Sequence, residues 1–154
     1  MAESTTDRLR VRLVTPERTL FEAEASSVEL PSKSGYMEVL YGHAPLLAEL
    51  GAGSVTIHGT NAGAGAAEND ASGTVRLNVS WGFVEVLPNR VTILAADALK
   101  PEEIDVQRAE EQLERGRNLM KQAGESLEAC DEAQRVLFEA EAKIAAASGA
   151  EKAH

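Results

Sequence analysis

His43 is the side chain best suited to acid–base chemistry in this sequence, because an imidazole titrates near neutrality. It lies in Tyr41-Gly42-His43-Ala44-Pro45, where Gly42 and Pro45 specify a turn. Glu38 and Glu85 are the carboxylates that a hydrolase on a β-scaffold would set beside it. No Ser, Cys or Asp motif around His43 marks a nucleophile, so the catalytic reading lacks its central residue. A loop histidine satisfied by backbone groups competes with a contact role, since exposed loops often carry function. The glycine-rich stretch 60–73 invites a phosphate-loop reading, but no Gly-Lys-Ser/Thr closes it and it joins strand to strand. Cys130 is the one cysteine, which excludes an internal disulfide, and no Cys/His cluster has metal-ligand spacing. It falls on an apolar helical stripe with only Arg135 nearby, so a small buried hydrophobe is expected there, not a redox sensor. Asp105 and Arg108 stand three apart on a predicted helix and can pair across one turn, a surface contact worth little.

Two kinds of element must position these groups. Up to about Asp97 the pattern is that of strands. Residues 8–15 alternate polar and apolar, which puts one face on a core and the other in water. Pro16-Glu17-Arg18 supplies a turn. Further short strands are predicted over 20–23, 27–30, 36–40, 46–50, 54–58, 74–80, 83–87 and 91–95, with a hairpin at Pro88-Asn89-Arg90. Many short strands at this spacing argue for an antiparallel sandwich or barrel. The segment 60–73 between them is too polar to repay its ordering entropy and is predicted to be a mobile hairpin loop. Trp81 and Phe83 are two apart, so a regular strand points both to one face; core packing is the default and an interface the sharper alternative.

From Pro101 the period changes. Pro101 suits a first helical position, and Glu102, Glu103 and Asp105 load the first turn with charge that favours the helix dipole. Ile104, Ala109, Leu113, Gly116 and Met120 define one stripe, and Gln122-Ala123-Gly124 ends the segment. A second helix is predicted over 126–147, with Leu127, Cys130, Ala133, Leu137, Ala140 and Ile144 on its stripe. Small residues at Ala109, Gly116, Ala133 and Ala140 let the two helices lie close as an antiparallel hairpin. The expected organisation is therefore a β-sandwich over 1–98, a two-helix hairpin over 99–147 and a frayed tail over 148–154. Such a segregated α+β chain buries little in its helical part, which must lean on the sandwich or a partner.

Composition narrows the function classes. The 154 residues carry a formal charge of −10, which repels phosphate backbones and anionic lipid, so nucleic-acid binding is not expected. No apolar run reaches the roughly 20 residues that span a bilayer, and Met1–Asp7 has no apolar core of a secretory signal. A cytosolic, soluble chain without direct membrane insertion is the expectation.

Three blocks carry a resemblance. Ser34-Gly35-Tyr36-Met37-Glu38-Val39-Leu40-Tyr41-Gly42-His43-Ala44-Pro45-Leu46-Leu47 resembles the signature of epsilon subunits of bacterial F-type ATP synthases. Trp81-Gly82-Phe83-Val84-Glu85-Val86, followed by Val91-Thr92-Ile93-Leu94-Ala95 and Asp97, is similar to that family's closing hairpin. Ile104-Asp105-Val106-Gln107-Arg108-Ala109 is similar to its first C-terminal helix start. The resemblance implies a non-catalytic rotor subunit, peripheral on the cytoplasmic face of the inner membrane. Such a subunit clamps the gamma stalk, rests on the ring of c subunits and so couples proton-driven rotation to ATP synthesis. It further implies c-ring contacts at Tyr36, Glu38, Tyr41 and His43, and gamma contacts at Trp81 and Phe83. In some relatives the third motif binds ATP as a regulatory ligand, which would fall here on Ile104, Asp105, Arg108 and Ala109; no cofactor is otherwise required. In the matching second helix only Arg135 and Lys143 are basic, and Glu139 and Glu141 would repel a triphosphate. In many members the hairpin also extends into the alpha/beta catalytic head and inhibits ATP hydrolysis. Here residues 125–152 hold seven acids against three bases, so docking on an acidic head should be weak or rest on apolar contacts. Met37-Glu38 stands where relatives usually show Leu-Gly, and Glu38 resists the positive φ a glycine allows, so the local backbone is expected to differ. The competing class is a free-standing binding module with a helical dimerisation hairpin, although sustained heptads are lacking.

Overall fold

A computed structural model describes residues 7–60 and 73–148 of the chain, which divides into two compact units, Met1–Lys100 and Pro101–His154. The expectations for the N-terminal residues 1–6, for most of the 60–73 loop and for the 149–154 tail lie outside the described residues. The first unit holds seven strands: β1 (Leu9–Val14), β2 (Thr19–Ala25), β3 (Ser27–Ser32), β4 (Gly35–Leu40), β5 (Leu46–His58), β6 (Val75–Leu87) and β7 (Arg90–Leu99). They hydrogen-bond in the order β2-β1-β7-β6-β5-β3-β4, antiparallel throughout except for β1 beside β7.

One continuous sheet becomes a two-layered sandwich through a crease, and burial along the long strands locates it. In β6 the buried apolar positions are Val75, Leu77 and Val79, then Val84 and Val86. In β7 they are Val91, Ile93 and Ala95, then Ala98; in β5, Leu50, then Val55 and Ile57. A side-chain period of two cannot produce these sequences unless each strand switches its inward face once. The switch falls at Gly51–Gly53, Trp81–Gly82 and Ala96–Asp97, which are neighbours in register. Trp81 has φ 59 and Gly82 φ 125, so the backbone turns there by leaving ordinary strand geometry. One layer thus packs Leu9, Val11, Leu13 and Phe21 with Val84, Val86, Val91 and Ile93; the other packs Val28, Leu30 and Val39 with Val55, Ile57, Val75 and Leu77.

The bend also returns both ends of β5 to one end of the sandwich. Leu40 pairs across β3 with Ser27 and so with His58, while two residues on the Gly42 amide donates to Pro88 O at 2.7 Å, beside the opposite end of β5. The predicted strands 46–50 and 54–58 are one strand, as are 74–80 and 83–87. Glycines and a bend were read as breaks, but the ladder continues through them.

The second unit opens with a 3₁₀ turn, Pro101–Glu103, followed by α1 (Val106–Ala123) and α2 (Leu127–Ser148). Helix α1 therefore starts five residues later than expected. Asp105 takes extended geometry and its carboxylate accepts from the Arg108 amide at 3.2 Å, an N-cap that ends one helix type and begins the next. The paired Asp105–Arg108 side chains expected from spacing give way to this cap. Ser126 Oγ caps α2 by accepting from the Ala129 amide at 3.2 Å, and Gly124 at φ 58 closes the link. Ala109, Gly116 and Ala123 of α1 and Ala133, Ala140 and Ala146 of α2 are buried, so small side chains form the seam. Two expected stripe residues are not on it. Leu127 is 81% exposed and Met120 37%, because a seam of alanines is narrower than the apolar stripe that the sequence allows. Cys130 is half-buried, its thiol directed to Gly124 O at 3.8 Å.

At Gly116 an added Cβ would lie 2.9 Å from the Leu137 side chain and 3.2 Å from its backbone nitrogen. Gly116→Leu is therefore expected to destabilise the hairpin by about 1–3 kcal/mol through overpacking. Leucine is the better helix former by roughly 0.8 kcal/mol, so propensity alone predicts the reverse. Thermal melting of the 222 nm helical signal decides between them.

Candidate docking surfaces

Tyr41 and His43 lie together in the connection between β4 and β5, at the closed end of the sandwich. Three bonds fix that turn: Gly42 N–H to Pro88 O at 2.7 Å, His43 N–H to Leu40 O at 3.1 Å, and His43 Nδ1 to Ala44 O at 2.7 Å. A carbonyl only accepts, so Nδ1 carries the proton and donates, which leaves Nε2 without a partner among the described residues. Gly42 takes φ 89, a value that glycine reaches without the clash a side chain would bring. The turn is thus a preformed, exposed projection bonded to the β6–β7 hairpin tip.

Glu38 stands on the outer side of edge strand β4, opposite Glu29 of β3. Its backbone is regular, with no positive φ, and Gly35 at φ 132 takes the turn. Two carboxylates face each other here. His58 offsets the strain by placing Nε2 at 2.8 Å from Glu29 Oε2. Tyr36 lies at the far end of β4, five residues from Tyr41 and hence about 17 Å away along the strand. Its hydroxyl accepts from the Ser54 amide at 3.0 Å and lies over Gly53, where a Cβ would clash with it. Tyr36 therefore pins β4 across the crease, while Tyr41 and His43 project from the opposite end. The structure brings together only two of the four residues expected to share one contact.

Trp81 and Phe83 do not share a regular strand. Trp81 sits in the crease at φ 59 and is half-buried; Phe83 lies beyond it on the outer side, 52% exposed and outside the core. Phe83 pairs with Leu94 of β7, which pairs in turn with Val14 of β1. Leu47 lies diagonally from Phe83, 72% exposed, with Leu94 at 49%. An apolar row thus crosses the outer face of one layer, continuous with a groove of about 340 Å³ lined by Val14, Pro16, Gly82, Leu94 and Ala96. Single exposed apolar residues are ordinary, but a contiguous row beside a groove marks an interaction surface. Leu47 and Leu94 were not singled out from the sequence. Register alone aligns them with Phe83, and no local pattern encodes it.

In the second unit Ile104 and Ala109 are buried, and Asp105 is spent on the helix cap. Of the four residues proposed for ATP, only Arg108 presents an exposed side chain unengaged among the described residues. On α2, Lys143 Nζ pairs with Glu139 Oε1 at 3.2 Å, which occupies one of the two bases there. No group of three His, Cys, Asp or Glu that could hold a metal occurs among the described residues, and no described helix is long and apolar enough to cross a membrane.

These features define a docking protein, a small sandwich with an exposed apolar face and a projecting turn, followed by a two-helix appendage. Residues 8–101 match the family model for ATP synthase, Delta/Epsilon chain, beta-sandwich domain. The chain is 38% identical to the ATP synthase epsilon chain of Koribacter versatilis over 77% of this chain and 75% of that one. It is likewise 38% identical to the epsilon chain of Moorella thermoacetica, over 90% and 96% respectively. Among solved structures, a chain in the mitochondrial ATP synthase of Euglena gracilis superposes with TM-score 0.70 at 18% identity, covering 99% of this chain and 86% of that one, which is a likeness of fold. The chain belongs to the ATP synthase epsilon-chain family, and is a non-catalytic subunit of an F-type ATP synthase.

Proposed function

We propose that this chain is the foot of the rotor, with separate surfaces for two partners. Its outer row of Leu94, Phe83 and Leu47 docks on the gamma stalk, and the Tyr41–His43 turn rests on the polar loops of the c-ring. Glu38 reaches toward the ring from the adjoining strand, whereas Tyr36 acts within the sandwich. The chain turns with both partners and so carries torque between proton flow and ATP synthesis, peripheral on the cytoplasmic face of the inner membrane. The observation that carries this reading is the pairing of an unpartnered apolar face with a rigidly bonded turn at one end of the same small unit. A rotor part must hold two neighbours by surface fit, and no catalytic cluster accompanies those surfaces among the described residues.

The hairpin is a weak regulator at most in this proposal. Its acidity opposes docking on an acidic head, and on α2 Lys143 is already paired with Glu139. One experiment tests both halves. The full chain and a chain ending at Lys100 are each used to pull down partners from detergent-solubilised membranes. Both should bring down gamma and the c-ring, because the first unit has its own core, and removing residues 101–154 should leave ATP hydrolysis nearly unchanged. Absence of gamma and c-ring from both would sink the rotor reading; strong activation by the truncation would sink the weak-regulator reading alone.

A further inference from the structure

The apolar row has a charged border that the chain does not neutralise. Arg10 and Arg12 on the outer side of β1, with Arg8 just before it, face the two acids of β2, Glu22 and Glu24. The ion pairs run diagonally: Arg8 Nε lies 3.8 Å from Glu24 Oε1, and Arg10 Nη2 3.7 Å from Glu22 Oε2. Both acids of β2 are thereby taken, and Arg12 has no ion pair or hydrogen bond through its side chain among the described residues. Arg90 of β7 is in the same condition, and parallel register sets it directly beside Arg10. Like charges at directly opposed positions destabilise a sheet. Arg12 stands opposite Glu22 in register, but that carboxylate is paired with Arg10, so four arginines (Arg8, Arg10, Arg12 and Arg90) share the two acids of β2, a local surplus in a chain of net charge −10. By register the remaining acid on this face is Glu85, two strands from Arg12 and diagonal to Arg90 across β6 and β7, with no ion pair to either among the described residues.

That surplus adjoins the apolar row. Arg12 is two residues from Val14 on β1, and Arg90 four from Leu94 on β7, all on the outer side. Arginine is the cation suited to such a border, since its weakly hydrated planar fork matches carboxylates and is enriched at interfaces. We propose that Arg12 and Arg90 are specificity residues of the stalk-docking face, and that the partner presents carboxylates opposite them beside apolar side chains covering Leu94 and Phe83. This rests on the stalk-docking reading above and adds to it the chemistry of the partner surface. Its consequence is that association is steered by charge and sensitive to salt, while the apolar row holds the complex once formed.

The test uses the full chain and the stalk-bearing catalytic subcomplex of the same enzyme, stripped of this subunit. Binding is followed by surface plasmon resonance at about 0.05 M and 0.5 M salt, on either side of effective screening. Arg12→Glu/Arg90→Glu should bind at least about tenfold more weakly at low salt, mainly through a slower on-rate, with most of the salt dependence gone. Arg115→Glu/Lys121→Glu, the same charge change placed on the exposed side of α1, should bind as wild type. Circular dichroism confirms that each variant is folded, and Arg12→Gln/Arg90→Gln, with no added repulsion, should lie between. If wild type binds but both arginine variants match it at both salts, the charged border is refuted and the docking reading survives. Should wild type fail to bind the subcomplex, the docking reading falls and this inference with it. Arginine-dependent binding to phosphatidylglycerol vesicles, with none to the subcomplex, would assign these residues to lipid and overturn the proposal.

Discussion

Gly82→Ala is expected to abolish the cooperative unfolding of the sandwich, or to lower its midpoint by more than about 16 °C, a loss of roughly 4 kcal/mol or more. Two terms combine. The φ of 125 lies where a side chain is strained, a cost of about 1–3 kcal/mol. An added Cβ would also fall inside the contact radius of the Leu94 carbonyl oxygen and within 3.1 Å of Ala95 Cα. Those atoms are backbone of the paired strand, so relief requires β6 and β7 to part at Gly82–Ala95, in the crease that sets both layers facing. Gly35→Ala isolates the first term. Its φ of 132 is nearly the same, yet nothing lies within 4 Å of the added atom. It should lose only about 1–3 kcal/mol, which calorimetric melting of both variants will resolve. Equal losses would show that the close approach at Leu94 is not what makes position 82 a glycine.

The same crease explains which parts of the fold were legible in the residues. Alternation locates β1, the bounding Gly, Pro, Asn and Ser residues locate the other strands, and Pro88-Asn89 marks the hairpin. The joins through Gly51–Gly53 and Trp81–Gly82 were not legible as continuity. A glycine within an apolar pattern signals a stop and a bend equally well, and only the changed parity of buried positions on either side distinguishes them. Helix α1 was placed too early because Pro101 and the acids after it match a first turn, yet Asp105 is the residue that caps. The seam of Ala109, Gly116, Ala133 and Ala140 was read correctly, since small residues seven apart have one structural use here. For the surfaces, the family resemblance implies one shared contact at Tyr36, Glu38, Tyr41 and His43, and only Tyr41 and His43 stand in the same turn. Tyr36 differs because its hydroxyl is claimed by Ser54, a partner eighteen residues away. Arg12 and Arg90 are more remote still. What distinguishes them from Arg8 and Arg10 is a diagonal choice of ion pairs, which depends on three-strand register and leaves no trace in local sequence.

Phe83→Ala should weaken binding to the stalk-bearing subcomplex by about 2 kcal/mol or more, roughly thirtyfold in Kd, carried by faster dissociation. Phe83 is the largest side chain of the outer row and the aromatic one, with Leu94 beside it and Leu47 diagonal, so it occupies the place where a partner would exclude water most completely. The chain's own stability should change by no more than about 0.5 kcal/mol, because half of this ring already meets solvent and no core residue depends on it. That contrast separates it from Gly82→Ala, where binding is lost because the unit itself is lost. It also separates it from the arginine variants, whose effect enters through the on-rate and vanishes in salt, whereas an apolar contact persists at 0.5 M salt. Plasmon resonance and thermal melting on the same preparation read both quantities. A Phe83→Ala chain that melts as wild type and dissociates as slowly would remove the outer row from the interface and leave the groove by Gly82 without a partner.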